Sequence, residues 1–308
     1  MGDLKNINNY IEVKKQDFDS CIDVIEHDLK IDGIDATLRF HYIKFSGNGV
    51  PLINLLAEKL YEYIVQYCIA SRNREGELTP QQYAQLIKQA RKLFRHPIID
   101  AKNPDQTGEA GEALLFFLME AVLNAPQLVS KMELKTNSGD EVKGSDGIHV
   151  KWNEQENIVE FYFGESKLYQ SISSAMDSAL ESIDNFHLKG MYKHEFNMVT
   201  KFFKYANDEI KSAITDLIVS GEPGENVRIN HACLIGYNWS GFNKLSRTKE
   251  LSLADCFIER FKADFPRIHG LINEKFSLFE RKELKFEVFF IPFPSVSDFR
   301  NAFNKALD

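Results

Sequence analysis

The sequence contains little cysteine and no long hydrophobic run. Its four cysteines lie far apart, without a CxxC pair, so we expect neither a structural zinc site nor a disulfide framework. No apolar stretch approaches the length of a membrane span, and the first residues lack the apolar segment of a secretory signal peptide. We therefore expect a cytoplasmic protein that does not associate with membranes.

Positive charge is scarce as well. Lysine and arginine total 37 residues against 45 aspartates and glutamates, and the net charge is −8. Affinity for nucleic-acid phosphates comes mainly from lysine and arginine. Any polynucleotide would therefore have to meet a local basic patch or be delivered by a partner. The remaining composition, 44% hydrophobic and 27% charged, is that of an ordinary globular protein.

The 308 residues suffice for one large domain or two modest ones. In the first hundred residues, alternating apolar side chains predict a strand over 36–45. Helical spacing predicts helices over 51–69 and 80–94. We interpret residues 1–100 as an N-terminal accessory α/β region.

The segment 96–107 contains two prolines and is the best candidate for a domain boundary. Beyond it, helices and strands alternate in an order typical of α/β proteins. The part from 101 to 308 is predicted to contain a helix at 108–124, a strand at 127–136, a two-stranded hairpin, helices at 172–186 and 195–219, a strand at 227–239, helices at 254–265 and near Leu271, a strand at 285–291 and a helix at 296–307.

The predicted hairpin, within 144–167, carries three ionisable groups beside its apolar stripes. Side chains alternate between the two faces of a strand. Asp146 precedes one stripe, and Glu165 and Lys167 follow the other. The stripes consist of Ile148, Val150 and Trp152 on the first strand and Val159, Phe161 and Phe163 on the second. A carboxylate on a core-facing stripe is costly to bury unless it is paired or binds a cation, so the hairpin indicates a metal site.

The Glu-x-Lys spacing is not informative alone, because it recurs elsewhere, for example from Glu12 to Lys14 and from Glu209 to Lys211. The stretch from Glu165 to Lys167 differs in its context. An apolar strand leads into it, a predicted helix follows it, and an aspartate stands on the preceding strand.

Glu112 lies near the start of the predicted helix at 108–124. The apolar stripe of that helix, extended towards the N-terminus at helical spacing, reaches Glu112. The carboxylate of Glu112 would therefore point towards the sheet. A glutamate in the first turn also interacts favourably with the helix dipole, so a purely structural role is an open alternative.

These residues suit metal-assisted hydrolysis of a phosphodiester. Asp146 and Glu165 provide the oxygen ligands that Mg²⁺ prefers, and the ion activates water and neutralises charge on the phosphate. Lys167 can orient the water or stabilise the transition state. The backbone carbonyl of Ser166 is a candidate further ligand, and Glu112 a candidate auxiliary one for a metal-bound water or a second ion.

Together, a helix glutamate, a strand aspartate and Glu-x-Lys on the next strand resemble the PD-(D/E)xK nuclease superfamily. The resemblance places Glu112, Asp146, Glu165 and Lys167 at its four active-site positions, whereas Ser145 stands in place of the name-giving proline. It implies a restriction-endonuclease-like fold, with a central mixed sheet flanked by helices, over the nuclease core at 101–308. It also implies a Mg²⁺-dependent deoxyribonuclease in which Mn²⁺ can replace Mg²⁺.

Three segments further resemble the nuclease subunit of the bacterial Hachiman anti-phage system. They are Gly108-Glu109-Ala110-Gly111-Glu112, Gly144-Ser145-Asp146-Gly147 and Phe163-Gly164-Glu165-Ser166-Lys167. That resemblance implies a superfamily 2 helicase as partner. It also implies that DNA is degraded without sequence preference once the helicase releases the nuclease.

Two other interpretations stay open at this point. The chain could be a catalytically silent adaptor that keeps the nuclease fold and holds a helicase, or the hairpin could be an ordinary salt-bridged strand pair. Other motifs fail: the P-loop spacing ending at Gly144 continues with Ser145 instead of lysine, and His194-Glu195 lacks the second histidine of a zinc protease. Lys131 and Lys151 alternate with acidic residues, which indicates a solvated mixed surface.

Overall fold

A computed structural model describes residues 3–74, 76–94, 108–134, 144–205, 207–219, 222–245 and 252–308. It confirms the predicted α/β class, since a mixed six-stranded sheet is flanked by helices on both faces. The strands are β1 (Ile22–Val24), β2 (Asp35–Ile43), β3 (Gly147–Asn153), β4 (Ile158–Tyr169), β5 (Ile218–Val219), β6 (Glu222–Pro223), β7 (Val227–Asn238) and β8 (Lys285–Phe293).

In the main sheet the strand order is β1-β2-β8-β7-β4-β3, while β5 and β6 form a separate hairpin. The inner strands β2, β8, β7 and β4 run parallel, and the edge strands β1 and β3 pair antiparallel with their neighbours. Parallel strands require covered faces, which explains why β8 is buried along nearly its whole length.

The helices cover the sheet in two layers. They are α1 (Lys15–Cys21), α2 (Ile53–Glu62), α3 (Ile64–Cys68), α4 (Pro80–Phe94), α5 (Glu109–Leu123), α6 (Ile172–Leu188), α7 (Met191–Lys201), α8 (Asp208–Asp216), α9 (Leu253–Leu278) and α10 (Val296–Ala306). One apolar cluster joins α2, α3, α5 and α10 to one face, and two others join α6, α7, α8 and α9 to the opposite face.

The prediction of one helix over 195–219 is wrong. That segment contains the end of α7 and the separate helix α8. Asn207 caps α8 by accepting a hydrogen bond from the amide of Ile210 at 2.8 Å, and the intervening Phe203 and Tyr205 are buried. A capping side chain and buried aromatic residues therefore end one helix and begin the next where apolar spacing alone suggested continuity.

Two predicted helices at 254–265 and near Leu271 are instead one helix, α9, which continues through Pro266. Proline removes one backbone donor and usually ends a helix. Here the buried stripe runs without interruption on both sides of the proline, so packing against the sheet outweighs the lost hydrogen bond. The stripe consists of Phe257, Phe261, Phe265, Ile268, Ile272 and Phe276.

The strand predicted at 127–136 is also not found within its described part, 127–134. Gln127 forms a single bridge to His149, and a 3-10 turn covers Lys131–Leu134. The helix predicted over 51–69 is interrupted at Tyr63, between α2 and α3.

Residues of the predicted accessory region contribute directly to the main sheet. β2 pairs with β8, and α2 and α3 share an apolar cluster with α5. The buried carboxylate of Glu120 on α5 also accepts hydrogen bonds from the amides of Glu12 at 2.7 Å and Val13 at 2.9 Å. The predicted boundary at 96–107 lies outside the described residues, so the division at residue 100 stays a prediction.

The described helices include none with both the length and the apolar character needed to cross a lipid bilayer.

Buried histidines predict a loss of stability in acid. His149 is 1% exposed and its Nδ1 lies 2.7 Å from the carbonyl oxygen of Ala125. Burial lowers the pKa of His149 to about 3, so the folded state takes up its proton at a lower pH than the unfolded chain. Stability is therefore complete above the unfolded pKa of about 6.5 and decreases as the pH falls below it.

We expect the free energy of unfolding of the wild-type protein to fall between pH 7 and pH 5 by about 2 kcal/mol more than that of His149→Gln. Urea denaturation of both proteins at the two pH values measures this difference. Equal losses would contradict the assignment of a neutral, buried His149.

Candidate functional site

The end of the hairpin brings Asp146 close to Glu165. The antiparallel pairing of β3 and β4 extends to Gly147 and Gly164, the residues next to Asp146 and Glu165. The amide of Asp146 also donates to the carbonyl oxygen of Gly164 at 2.8 Å, so Asp146 is shifted by one residue from the register at the end of β3. The charge of Asp146 contributes to raising the pKa of Glu165, so the two carboxylates are close neighbours.

Ser166 holds the carboxylate of Asp146 in place. Oδ2 of Asp146 accepts hydrogen bonds from the Ser166 amide at 2.7 Å and from the Ser166 hydroxyl at 2.8 Å. In a strand, the amide and the carbonyl of one residue point to the same edge. The carbonyl of Ser166 is therefore directed to the edge of β4 where Asp146 lies, and its role as a further ligand stays a prediction.

Lys167 and Glu165 form a half-buried ion pair. Nζ of Lys167 lies 2.6 Å from Oε1 of Glu165, and the two side chains are 20% and 14% exposed. The ammonium group of Lys167 thus lies beside the carboxylate of Glu165 and does not extend into solvent.

The pKa of Glu165 is raised to about 7 because its carboxyl group is buried and lies near Asp146, although Lys167 and a hydrogen bond from Ser182 oppose the rise. Burial lowers the pKa of Lys167, but the nearby carboxylates of Glu165 and Asp146 outweigh it and raise the pKa above the ordinary value. The site therefore has more negative charge than one lysine neutralises.

Glu112 reaches the site from the other face of the sheet. It lies in the first turn of α5, and its Oε2 accepts a hydrogen bond from the hydroxyl of Tyr67 at 3.0 Å. The helix lies close to β4 at Gly111, where a Cβ atom would be only 3.0 Å from Oγ of Ser166. A side chain at this position would have to displace Ser166 or Leu168, so glycine favours this approach.

A cavity of about 810 Å³ unites these groups. Its lining includes Glu112, Asp146 and Glu165, with Ser182 and Lys189 contributed by α6 and the residue that follows it. Lys167 is not itself a lining residue, but its ammonium group bonds to Glu165, which lines the cavity.

The described residues contain no group of three or more histidine, cysteine, aspartate or glutamate side chains arranged to hold a metal ion. Glu112 therefore does not form a three-carboxylate cluster with Asp146 and Glu165. Two carboxylates still fit Mg²⁺, which is commonly held by one or two carboxylates together with waters and substrate phosphate. The raised pKa of Glu165 fits as well, since close carboxylates without enough positive charge favour a cation.

Two buried residues beside Ser145, which lines the cavity, were not anticipated from the sequence. Lys131, interpreted there as part of a solvated surface, is 5% exposed, and Glu195 on α7 is fully buried. They form an ion pair at 2.5 Å beside Ser145, the residue preceding Asp146. They are 64 residues apart in sequence and have no shared motif, so only the fold reveals their pairing.

Comparison with known protein families gives a match to HamA over residues 17–307. The chain belongs to the HamA family. This confirms the resemblance to the Hachiman component that three short segments had indicated, and the matched range contains all four predicted site residues. HamA membership thus identifies the chain as a component of the Hachiman defence system. A comparison with curated proteins finds no match to this chain.

Removing the lysine should destabilise the site in a pH-dependent way. In Lys167→Met, the pKa of Glu165 rises further because its cation is lost, so deprotonation at pH 8 opposes folding. We expect the free energy of unfolding to fall by about 1 to 3 kcal/mol at pH 8 and by less at pH 6, where Glu165 can hold a proton.

Chemical denaturation at both pH values measures this effect. The matched control is the double variant Glu165→Gln/Lys167→Met, which removes both charges and should recover most of the loss. The assignment is wrong if the single and double variants lose the same stability, or if the loss is independent of pH.

Proposed function

We propose that this chain is a metal-dependent DNA nuclease and the effector of a Hachiman anti-phage system in the bacterial cytoplasm. The observation that carries the proposal is that Asp146 and Glu165 line one cavity and that Nζ of Lys167 lies 2.6 Å from Glu165. Membership of the HamA family supports the role in defence.

In this proposal Asp146, Glu165 and the Ser166 carbonyl hold Mg²⁺ or Mn²⁺, and Glu112 is an auxiliary acid at the cavity wall. A bound ion would supply charge neutralisation at the phosphate and an activated water. Ser166 fixes the orientation of Asp146 through its two hydrogen bonds. Glu112 is oriented by the Tyr67 hydroxyl, so its free rotation is restricted before any substrate arrives.

Lys167 is the proposed catalytic lysine. Its ammonium group is charged at neutral pH, because its neighbouring carboxylates raise its pKa. A cation held 2.6 Å from Glu165 can donate hydrogen bonds to a phosphate oxygen or to the attacking water. Charge on the phosphate increases during the reaction, so such a fixed donor favours the transition state.

A superfamily 2 helicase is the proposed partner, and DNA is the proposed substrate. The net charge of −8 is unfavourable for independent capture of DNA, because phosphates repel an acidic surface. Delivery by a helicase removes this obstacle. We further propose that the helicase restrains the nuclease, and that release leads to degradation of DNA with little sequence specificity, since the site recognises phosphate and not bases.

The first test is DNA cleavage by the purified chain, alone or released from its partner, with Mg²⁺. We expect Glu165→Ala/Lys167→Ala to lower the cleavage rate by at least about 100-fold, because a ligand and a transition-state cation are lost together. The matched control is Glu209→Ala/Lys211→Ala on α8, which has the same spacing outside the cavity. Unchanged cleavage by the site variant would remove the assignment.

The second test measures metal binding without cleavage. Mn²⁺ or Mg²⁺ at about 100 times the dissociation constant should stabilise the wild-type protein by about 2.7 kcal/mol and raise its melting temperature. The same ions should leave the melting temperature of Asp146→Asn/Glu165→Gln unchanged, because this variant keeps the shapes of both side chains and loses their charges. An equal shift in both proteins would place the ion elsewhere.

A second candidate function is that of a catalytically silent adaptor that binds the helicase. The lack of a three-residue ligand cluster among the described residues favours it. Metal binding and helicase binding separate the two functions. An adaptor would bind the helicase but would neither bind a divalent ion at Asp146 nor cleave DNA in any released state.

A further inference from the structure

The strand end that carries Asp146 is held by a buried ion pair outside the predicted catalytic set. Nζ of Lys131 lies 2.5 Å from Oε1 of Glu195, and the two residues are 5% and 0% exposed. Lys131 belongs to the 3-10 turn after α5, and Glu195 to α7. The pair therefore connects two elements that are distant in sequence.

Both charged groups bond to the backbone of Ser145. The Ser145 amide donates to Oε1 of Glu195 at 2.7 Å, and Lys131 donates to the Ser145 carbonyl oxygen at 2.6 Å. Gly144 makes this approach possible, because a side chain there would collide with Glu195, and its φ of +115° suits glycine. Both peptide groups of Ser145 are thus fixed one residue before Asp146.

Stability is a weak explanation for such a pair. Desolvation of two buried charges largely offsets their attraction, and hydrophobic residues of similar volume are often as stable. In addition, Oε2 of Glu195 is buried without a hydrogen-bond partner among the described residues. The hydrogen bonds to Ser145 are the specific result of this arrangement, and hydrophobic replacements could not provide them.

We infer that Lys131 and Glu195 are positioning residues that fix the backbone of Ser145 and thereby the carboxylate of Asp146. This inference rests on the proposed function, in which Asp146 binds the metal ion. Glu195 is fully buried, and Lys131, which lines the cavity, is 5% exposed and directs its ammonium group to Glu195 and Ser145. They act through Asp146, which is in turn oriented by Ser166 on the next strand.

The test uses the full chain with Lys131→Met/Glu195→Met, which replaces the pair by apolar residues of similar length. Hydrogen exchange of the segment 144–150 reports on the backbone independently of metal and DNA. We expect faster exchange at the amides of Ser145 and Asp146, with the melting temperature within a few degrees of wild type. We further expect about 10- to 100-fold weaker Mn²⁺ binding and a similarly lower kcat.

Two further variants separate positioning from general effects. Glu195→Gln keeps an oxygen that can accept from the Ser145 amide, so it should retain more Mn²⁺ affinity than the double methionine variant. Arg39→Met/Glu287→Met removes an ion pair of 2.7 Å between β2 and β8, and should leave exchange at 144–150 unchanged.

Wild-type exchange in segment 144–150 of the double methionine variant would overturn the inference. So would unchanged Mn²⁺ affinity and kcat in a variant whose exchange has increased. If the wild-type protein binds no Mn²⁺ and cuts no DNA, the proposed function is wrong, and so is the part of the inference that concerns metal binding and catalysis. The hydrogen-exchange result still decides whether Lys131 and Glu195 fix the backbone of Ser145. If the double methionine variant unfolds, a comparison of Glu195→Gln with Glu195→Met decides instead. Positioning by the acceptor oxygen predicts near-wild-type exchange and Mn²⁺ binding in Glu195→Gln and the loss of both in Glu195→Met, whereas equal behaviour of the two variants contradicts it.

Discussion

Like charges held close together are the constraint on which the site depends. Asp146 and Glu165 lie close together at the end of β3, and burial together with this proximity raises the pKa of Glu165 to about 7. Lys167 offsets part of the repulsion from 2.6 Å away. Folding must therefore supply enough energy elsewhere to keep two carboxylates in one partly covered cavity.

Among the described residues, the surrounding fold meets this constraint with paired strands and packed helices. The strands beside the site are paired and covered on both faces, so β4 cannot move away from β3 without breaking the sheet. Ser166 restrains Asp146, and Tyr67 restrains Glu112. Preorganised groups lose little freedom when a substrate binds, and such an arrangement favours chemistry that depends on fixed charge.

The sequence could predict those features that follow from local periodicity. The two-residue alternation of β4 placed Glu165 and Lys167 together, and the structure has them in contact. The α/β class and the resemblance to HamA could also be predicted, because the first depends on the order of the helices and strands and the second on short motifs. The position of Asp146 near Glu165 could be predicted from the hairpin, because the pairing of two neighbouring strands depends on local sequence.

Features that depend on contacts distant in sequence could not be predicted. Nothing near Lys131 indicates that Glu195, 64 residues later, will bury its charge. The break between α7 and α8 depends on buried aromatic residues, and the continuation of α9 through Pro266 depends on packing against the sheet. In each case tertiary burial decides the outcome against local propensity.

The most direct test of the site is a crystal structure of the chain with Mn²⁺, in which anomalous scattering locates the ion. We expect one ion with carboxylate oxygens of both Asp146 and Glu165 at about 2.1 Å, the distance typical of a hard divalent cation of this size. An ion bound elsewhere, or none at saturating Mn²⁺ while Glu165 stays paired only with Lys167, would contradict it.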